Sequence, residues 1–465
     1  MDDEIFGCTS LLLIKPNHVQ ESEMDEKRIK SKDKLYALLI CAVAFTIIYN
    51  TAAWYISTLE NISSFVFSFE KYIPFVPWTI IPYLSSGTLF CLVFLLCYDK
   101  KQLKLLTQRM LFVTVIAGIC FVLFPLRFSL QKPDIGNAIF GYSFQVLKTL
   151  DSPFNQSPSL HIAYAFIFWT IFRNFNQKLR LFSMIWLIAL GISTLTTYQH
   201  HFIDIITGII LAHISFIVFP DQKNNFRYRN FQVANFYFLS GWIIFSISLF
   251  LNQFFGRVWL LLLWPALVML LTGYHYQKNA VHFLKDKNGN IPVWKKIFYA
   301  PYQLIYYICW KWLRKNKAPI EIMQKIYISS RLSTADVQQI EINENTFVYD
   351  LSAELEETSL IKERSKYYSV PFLDIGTFDV EETKKLVHQI TENYQQLPGN
   401  GKILIHCTMG FTRSSSMGTL VIKNILSLPL DQTITHMKSV NKNAIIHSYA
   451  EDFLKYFTYY EQRNF

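Results

Sequence analysis

From Leu35 onward the chain alternates long apolar stretches with short polar ones. Eight such stretches lie at about 35–57, 78–98, 107–126, 159–174, 181–199, 202–219, 232–251 and 257–274. A helix of roughly 20 apolar residues crosses the ~30 Å hydrocarbon layer, so the pattern predicts a polytopic all-α membrane domain over 35–275. The tail before it, 1–34, is polar and ends in the basic cluster EKRIKSKDK; no signal-peptide pattern precedes the first apolar run.

Past residue 275 the pattern changes twice. Within 276–319, the segment 291–317 interleaves aromatic residues with Lys and Arg and is interrupted by Pro301. Its uncharged run from Ile297 to Trp310 is too short to span, which predicts an interfacial amphipathic linker. A ninth span there would instead put everything after it on the other side. From 320 to 465 the composition is that of a globular domain. FVYDLSAE (347–354) and KILIHC (402–407) read as strands. DVEETKKLVHQITENYQQL (379–397), with an acidic first turn, and SMGTLVIKNIL after the second strand read as helices. The predicted C-terminal domain is α/β.

Composition agrees with this division. Charged residues make up 17% of the chain and hydrophobic ones 51%, against roughly a quarter charged in ordinary globular proteins. The formal charge of +10 gathers in loops such as 99–104, 173–180 and 221–230, which fall on one side of the predicted bilayer. By the positive-inside rule both termini are cytoplasmic. No basic helix or ribbon suited to nucleic acid stands out. The seven cysteines form no CxxC pair, and most sit in apolar runs as small buried residues.

Cys407 is different. In HCTMGFTRS (406–414) a cysteine and an arginine flank five residues between a predicted strand and a predicted helix. Such a loop aims backbone N–H groups and a helix N-terminus at an anion. Arg413 can fork two hydrogen bonds onto phosphate oxygens, the positive surroundings favour a Cys407 thiolate nucleophile, and Gly410 permits the tight turn. A buried structural cysteine explains Cys407 alone but not the whole pattern.

Over about 320–460 these residues resemble the dual-specificity branch of the protein tyrosine phosphatases, and YDLSAELEE (349–357) is similar to that family's strand before the acid loop. The resemblance implies a general acid about thirty residues upstream of the cysteine. Asp374 in VPFLDIGTF fits, with Asp379 the alternative. It also implies that Ser414 assists breakdown of the phosphocysteine. The loop TMGFT has no basic residue, which disfavours a highly phosphorylated inositol.

A second set of polar residues lies at span ends: SPSLH (157–161), TYQHHFIDIITG (197–208) and PLRFSLQKP (125–133). Ionisable groups within membrane segments are functional candidates. His200 and Asp204, four apart, can share a helical face, so that the carboxylate orients the imidazole for attack on phosphorus. His161 can protonate a leaving alcohol, Arg127 with Lys132 can bind phosphate oxygens, and Ser159 sits where a helix start exposes N–H groups.

Over about 105–220 these segments resemble the type 2 phosphatidic acid phosphatase superfamily. PSLH (158–161) matches its second motif except Leu160. Ser193, His200 and Asp204 match its third, where Thr194 replaces an arginine. The first motif is only approximate. PSLH with the doubled histidine also resembles the headgroup-transferase branch that includes inositol-phosphorylceramide and sphingomyelin synthases. The resemblance implies a six-helix lipid-phosphatase-like core and a bacterial inner membrane.

The expectation is a bifunctional membrane phosphatase acting on a phospholipid or prenyl phosphate, with a histidine site at the outer face and a cysteine site in the cytosol. No cofactor or metal is expected. The alternatives are a lipid headgroup phosphotransferase carrying a phosphatase, and a membrane-anchored signalling protein phosphatase.

Overall fold

The computed structural model describes residues 29–136, 138–222, 224–314 and 318–463; most of the predicted N-terminal tail lies outside them. The chain divides into two compact units, one up to Ser215 and one from Phe216.

The first unit is helical: α1 (Ser31–Ser57), α2 (Ile80–Leu95), α3 (Lys100–Leu123), α4 (Ala138–Leu150), α5 (Leu160–Phe172), α6 (Gln177–Thr196) and α7 (Phe202–Val218), whose last turn crosses the division. Segments Ser31–Ser57, Pro77–Leu95, Lys100–Leu123 and Gln177–Thr196 are long and apolar enough to cross a membrane. The expected spans 159–174 and 202–219 form apolar helices of 13 and 17 residues, shorter than the ~20 residues of a full crossing. The stretch 127–157, between the third and fourth expected spans, contains α4. Outward faces stay apolar, as on α1, where Leu39, Ile40, Val43 and Ile47 are all exposed; lipid, not water, suits such a face.

Some buried polar side chains of this unit pair across helices, as a low-dielectric setting favours. Thr114 and Tyr164 join α3 to α5 through their hydroxyls, 2.6 Å apart. Gly208 brings α7 onto the start of α5: a Cβ there would lie 2.6 Å from Ser159 O. Gly208→Val therefore prises the two helices apart and is expected to lower thermal stability and disturb whatever site they share, read by the melting temperature of the detergent-solubilised chain.

The second unit starts with two further segments long and apolar enough to cross a membrane, Phe226–Phe255 and Arg257–Gln277, whose helices are α8 (Arg229–Phe255) and α9 (Leu263–Gln277). The segment expected as one interfacial helix is two, α10 (Val293–Phe298) and α11 (Ala300–Leu313), parted at Tyr299 with Pro301 in the first turn of the second. Trp294, Ile297, Leu304, Ile308 and Trp312 are exposed while Tyr302 and Trp310 are buried, so one face is left apolar toward the outside.

The α/β domain follows: β1 (Ile320–Met323), β2 (Ile326–Ser330), α12 (Thr334–Gln338), β3 (Thr346–Ser352), α13 (Ser359–Arg364), β4 (Lys366–Phe372), α14 (Val380–Gln395), β5 (Lys402–Cys407), α15 (Arg413–Leu426), α16 (Leu430–Val440) and α17 (Ser448–Arg463). The sheet order is β1-β2-β5-β3-β4. Only β1 runs antiparallel to its neighbour. The central strand β5 is buried along almost its whole length, which explains its unbroken apolar reading. It ends at Cys407, so this cysteine sits at the carboxyl end of a parallel strand, where α/β sheets bind ligands.

Behind that strand lies a buried polar cluster. Asp350 on β3 pairs in register with His406 on β5. Lys285, from the segment between α9 and α10, donates to Asp350 Oδ2 at 2.6 Å, and Tyr367 OH does so at 2.7 Å. His406 Nε2 is 3.1 Å from Glu357 Oε2. Asp350, Glu357 and His406 bring ligand-type atoms within 4.8 Å, a grouping that the expectation of no metal cluster did not foresee; the Lys285 ammonium already supplies a cation there. Burial pushes the Asp350 carboxyl up, but Lys285 and His406 outweigh it and hold it well below the usual range.

A depressed carboxylate adds stability that is complete above the unfolded pKa of about 4 and is lost as pH falls through the lower folded value. Lys285→Met leaves a buried unpaired charge and should cost about 3–5 kcal/mol at neutral pH. The deficit should shrink on acidification as Asp350 is protonated. Melting curves of both chains from pH 7 to pH 3 check this.

Candidate functional sites

The cysteine site is assembled from three elements. The loop after β5 curls so that Gly410 N–H donates to Cys407 Sγ at 3.3 Å, and Ser414 Oγ lies 3.5 Å from the same sulfur. Gly410 has φ +78°, and a Cβ there would lie 2.7 Å from Ser330 N on β2. Both conformation and space therefore require glycine. Gly410→Ala should distort the loop and lower kcat with little change in overall fold, measurable by pairing kinetics with circular dichroism.

Arg413 opens α15 and is buried. Its Nη1 donates to Glu354 Oε1 at 3.0 Å and to Phe372 O at 2.7 Å; its Nη2 reaches Asp374 Oδ1 at 3.0 Å and Thr408 Oγ1 at 3.2 Å. Burial works against the guanidinium charge, but Glu354 and Asp374 more than offset it, so the group stays protonated well above its ordinary range. Glu354, fully buried, also accepts from Thr408 Oγ1 at 2.6 Å and from Asp374 N at 3.1 Å. It thus ties together arginine, phosphate loop and acid loop. Sequence reasoning had the segment YDLSAELEE but not this carboxylate.

Asp374 is therefore at the arginine. The alternative, Asp379, is engaged elsewhere: it caps α14, its side chain accepting from Glu382 N at 2.9 Å. The expected Cys407, Arg413, Asp374, Ser414 and Gly410 all fall together.

The histidine site lies in the first unit. A cavity of about 410 Å³ is lined by Tyr49, Tyr83, Asp151, Asn155, His161 and His200, among others. The His161 ring stacks on Tyr83 with centroids 4.4 Å apart, and its centroid is 5.7 Å from that of His200. His200 Nδ1 lies 3.3 Å from Asp204 Oδ2, so a proton on Nδ1 facing the carboxylate leaves Nε2 as the lone-pair nitrogen. Thr194, where the resembled motif has arginine, holds the turn: its carbonyl accepts His200 N–H at 3.0 Å.

The doubled histidine is resolved by its partners. His201 Nδ1 is 2.9 Å from Glu70 Oε2, and its Nε2 is 3.2 Å from Ser129 N. Both ring nitrogens are used in fastening a loop, which leaves His200 as the imidazole facing the cavity. Sequence reasoning missed Glu70, since its partner is 131 residues away.

Ser159 precedes α5 with its hydroxyl buried and unpartnered, so the helix start near His161 has polar groups to spare. Arg127 and Lys132, expected on the phosphate, do not line the cavity. Both are exposed, and the Lys132 amine lies over the Phe144 ring at 5.9 Å. Position at a span end does not fix where a long side chain points. In their place the cavity holds Asp151, which accepts from Tyr83 OH at 2.5 Å and also from Tyr49 OH.

Fold and sites together give a helical unit with several membrane-length apolar helices and an α/β domain whose central strand ends in a cysteine–arginine loop. Residues 81–218 match the model of the PAP2 superfamily. The chain is also similar to solved structures. Tk-PTP in its active form is 18% identical over 30% of this chain and 95% of that one, TM-score 0.27. A mouse putative dual specificity phosphatase complexed with zinc tungstate is 14% identical over 32% and 92%, TM-score 0.27. Human DUSP28 is 12% identical over 32% and 98%, TM-score 0.27. No curated protein matches the sequence significantly.

Proposed function

We propose that the chain is a membrane phosphatase with two chemically independent sites, a histidine site acting on lipid phosphate and a cysteine site acting on a second phosphomonoester. The observation that carries this is the completeness of both constellations. Arg413 holds Asp374 Oδ1 and Thr408 Oγ1, while the same loop places Gly410 N–H and Ser414 Oγ at the Cys407 sulfur. His161 and His200 share one cavity, with Asp204 behind the second.

At the cysteine site the thiolate attacks phosphorus, an S–P bond forms and the ester P–O bond breaks. Asp374 gives its proton to the departing oxygen. A phosphate that takes the Arg413 fork competes with Asp374 for Nη2, which releases the acid toward the leaving group. Water then attacks phosphorus, its proton passes to Asp374, and the S–P bond breaks to return the thiolate. Ser414, beside the sulfur, supports that departure.

At the histidine site His200 Nε2 attacks, a P–N bond forms and the lipid alcohol leaves with a proton from His161. Water, deprotonated by His161, then frees phosphate and restores His200. Ser159 and the N–H groups at the start of α5 bind the non-bridging oxygens. The outer-face position of this site and the cytoplasmic position of the other rest on loop charge.

A second reading of the histidine site has an observation in its favour. Among the described residues lining the cavity there is no Lys or Arg, and Asp151 is there instead. A dianionic monoester is costlier beside that carboxylate than a monoanionic diester. This favours headgroup transfer, in which an alcohol replaces water in the second step.

Trapping decides the matter. With radiolabelled phosphatidic acid, the Cys407→Ser chain should carry an acid-labile, alkali-stable label that His200→Ala abolishes. Label that appears only from a phosphodiester lipid, and moves onto an added lipid alcohol, establishes the transferase. Absence of label from either lipid class removes the histidine site from the account.

A further inference from the structure

The loop that carries Asp374 runs from Leu373 to Phe378, between β4 and α14. Its fastenings come from α8, α9 and the turn after α9, not only from the sheet. Tyr276 OH, on the last turn of α9, donates to Asp374 O at 3.0 Å. Arg229 Nε, at the first residue of α8, donates to Ile375 O at 2.8 Å. Asn230 Oδ1 accepts Thr377 N–H at 2.8 Å, while its Nδ2 donates to Asn279 Oδ1 at 2.9 Å. Three positions of the acid loop, 374, 375 and 377, are thus pinned by residues at the ends of two membrane-length helices.

Two independent observations say that these bonds set the loop's shape. Ile375 has φ +54°, a left-handed conformation that a β-branched residue adopts only when its surroundings force it. Leu373 is 1% exposed and packs in the same apolar cluster as Val233 and Ala234 of α8 and Val268, Met269 and Tyr276 of α9. The segment before the acid is part of the helix pair's own core. The backbone of Gly376 passes so close that a Cβ would lie 2.8 Å from Asn230 Oδ1.

We propose that Asn230 and Tyr276 are positioning residues of the cysteine site, holding Asp374 against Arg413 from the ends of α8 and α9, so that the acid step requires the helix pair. This rests on the reading of Asp374 as general acid. Neither residue touches the reacting atoms. Their effect passes through the backbone of Asp374, Gly376 and Thr377. Loss of either hydrogen bond lets Ile375 relax toward an unstrained φ and swings the carboxylate away from the leaving oxygen.

The test uses the full-length chain in detergent with Tyr276→Phe, Asn230→Ala and Asp374→Asn. An alkyl phosphate, whose leaving oxygen needs a proton, is compared with p-nitrophenyl phosphate, whose leaving group needs it less. Tyr276→Phe and Asn230→Ala should lower kcat on the alkyl phosphate by on the order of 10–10²-fold, and by clearly less on p-nitrophenyl phosphate. KM and the rate of Cys407 alkylation by iodoacetate should be unchanged. Adding Tyr276→Phe to Asp374→Asn should cost nothing more, because the two act on one step.

Equal losses on both substrates, a changed alkylation rate, or full additivity with Asp374→Asn would each overturn the proposal. So would wild-type kinetics in both variants. If Asp374→Asn itself shows no dependence on the leaving group, Asp374 is not the acid, and it is that underlying reading that fails. Tyr276→Phe removes one hydroxyl only, so a folding failure of Asn230→Ala does not remove the test.

Discussion

Cys407→Ser in the full-length chain should cut phosphate release from a soluble aryl phosphate by about 10⁴-fold or more, the scale on which loss of a covalent nucleophile acts. The fold should survive. Serine is nearly isosteric, and the loop around it is held by Gly410, by Arg413 and by Arg331 N–H, which donates to Cys407 O at 2.7 Å. Phosphate affinity should also survive, because Arg413 and the loop N–H groups remain. A substrate-trapping variant is the expected outcome: weak catalysis, intact binding and an unchanged melting temperature. Loss of binding together with catalysis would mean that Cys407 is structural. Glu354→Gln probes the same site differently. It keeps the shape but removes the charge that faces Nη1, so Arg413 gains freedom and KM for phosphate esters should change more than the alkylation rate of Cys407.

His200→Ala should abolish turnover at the membrane cavity, again by several orders of magnitude, while leaving aryl phosphate hydrolysis untouched. The imidazole that remains next to it cannot substitute. His201 is buried with Nδ1 on the Glu70 carboxylate and Nε2 accepting the Ser129 N–H, so its lone pair is not free to reach phosphorus. Asp204→Asn should be nearly as damaging, because it removes the carboxylate that fixes the His200 tautomer. His201→Ala should instead lower stability, since it leaves Glu70 buried with one partner fewer.

Much of this architecture could be read from the chain. The period of apolar residues announces the long helices, and KILIHC followed by a glycine-containing loop and a helix announces β5, the phosphate loop and α15. Cys407, Arg413, His161, His200 and Asp204 stand in short motifs that a one-dimensional reading reaches, whereas Asp374 is reached only through the family resemblance. Glu354, Asp151, Glu70 and Tyr276 were illegible for a physical reason. Each acts through a partner brought near by folding: Tyr276 meets Asp374 across 98 residues and Tyr83 meets Asp151 across 68. Arg127 and Lys132 show the converse. Their type and neighbourhood suit phosphate, but side-chain direction depends on packing that spacing does not encode. The two short helices α5 and α7 reveal the same limit, since an apolar run fixes neither the helix end nor the depth at which it sits.

The most direct test of two independent sites is one lipid assay run beside one aryl phosphate assay on Cys407→Ser and His200→Ala. The account predicts a double dissociation: lipid turnover survives Cys407→Ser and is lost in His200→Ala, whereas aryl phosphate hydrolysis shows the reverse. If lipid turnover disappears with Cys407→Ser and is indifferent to His200→Ala, the cysteine site performs all the chemistry, and the membrane cavity is not a second active site.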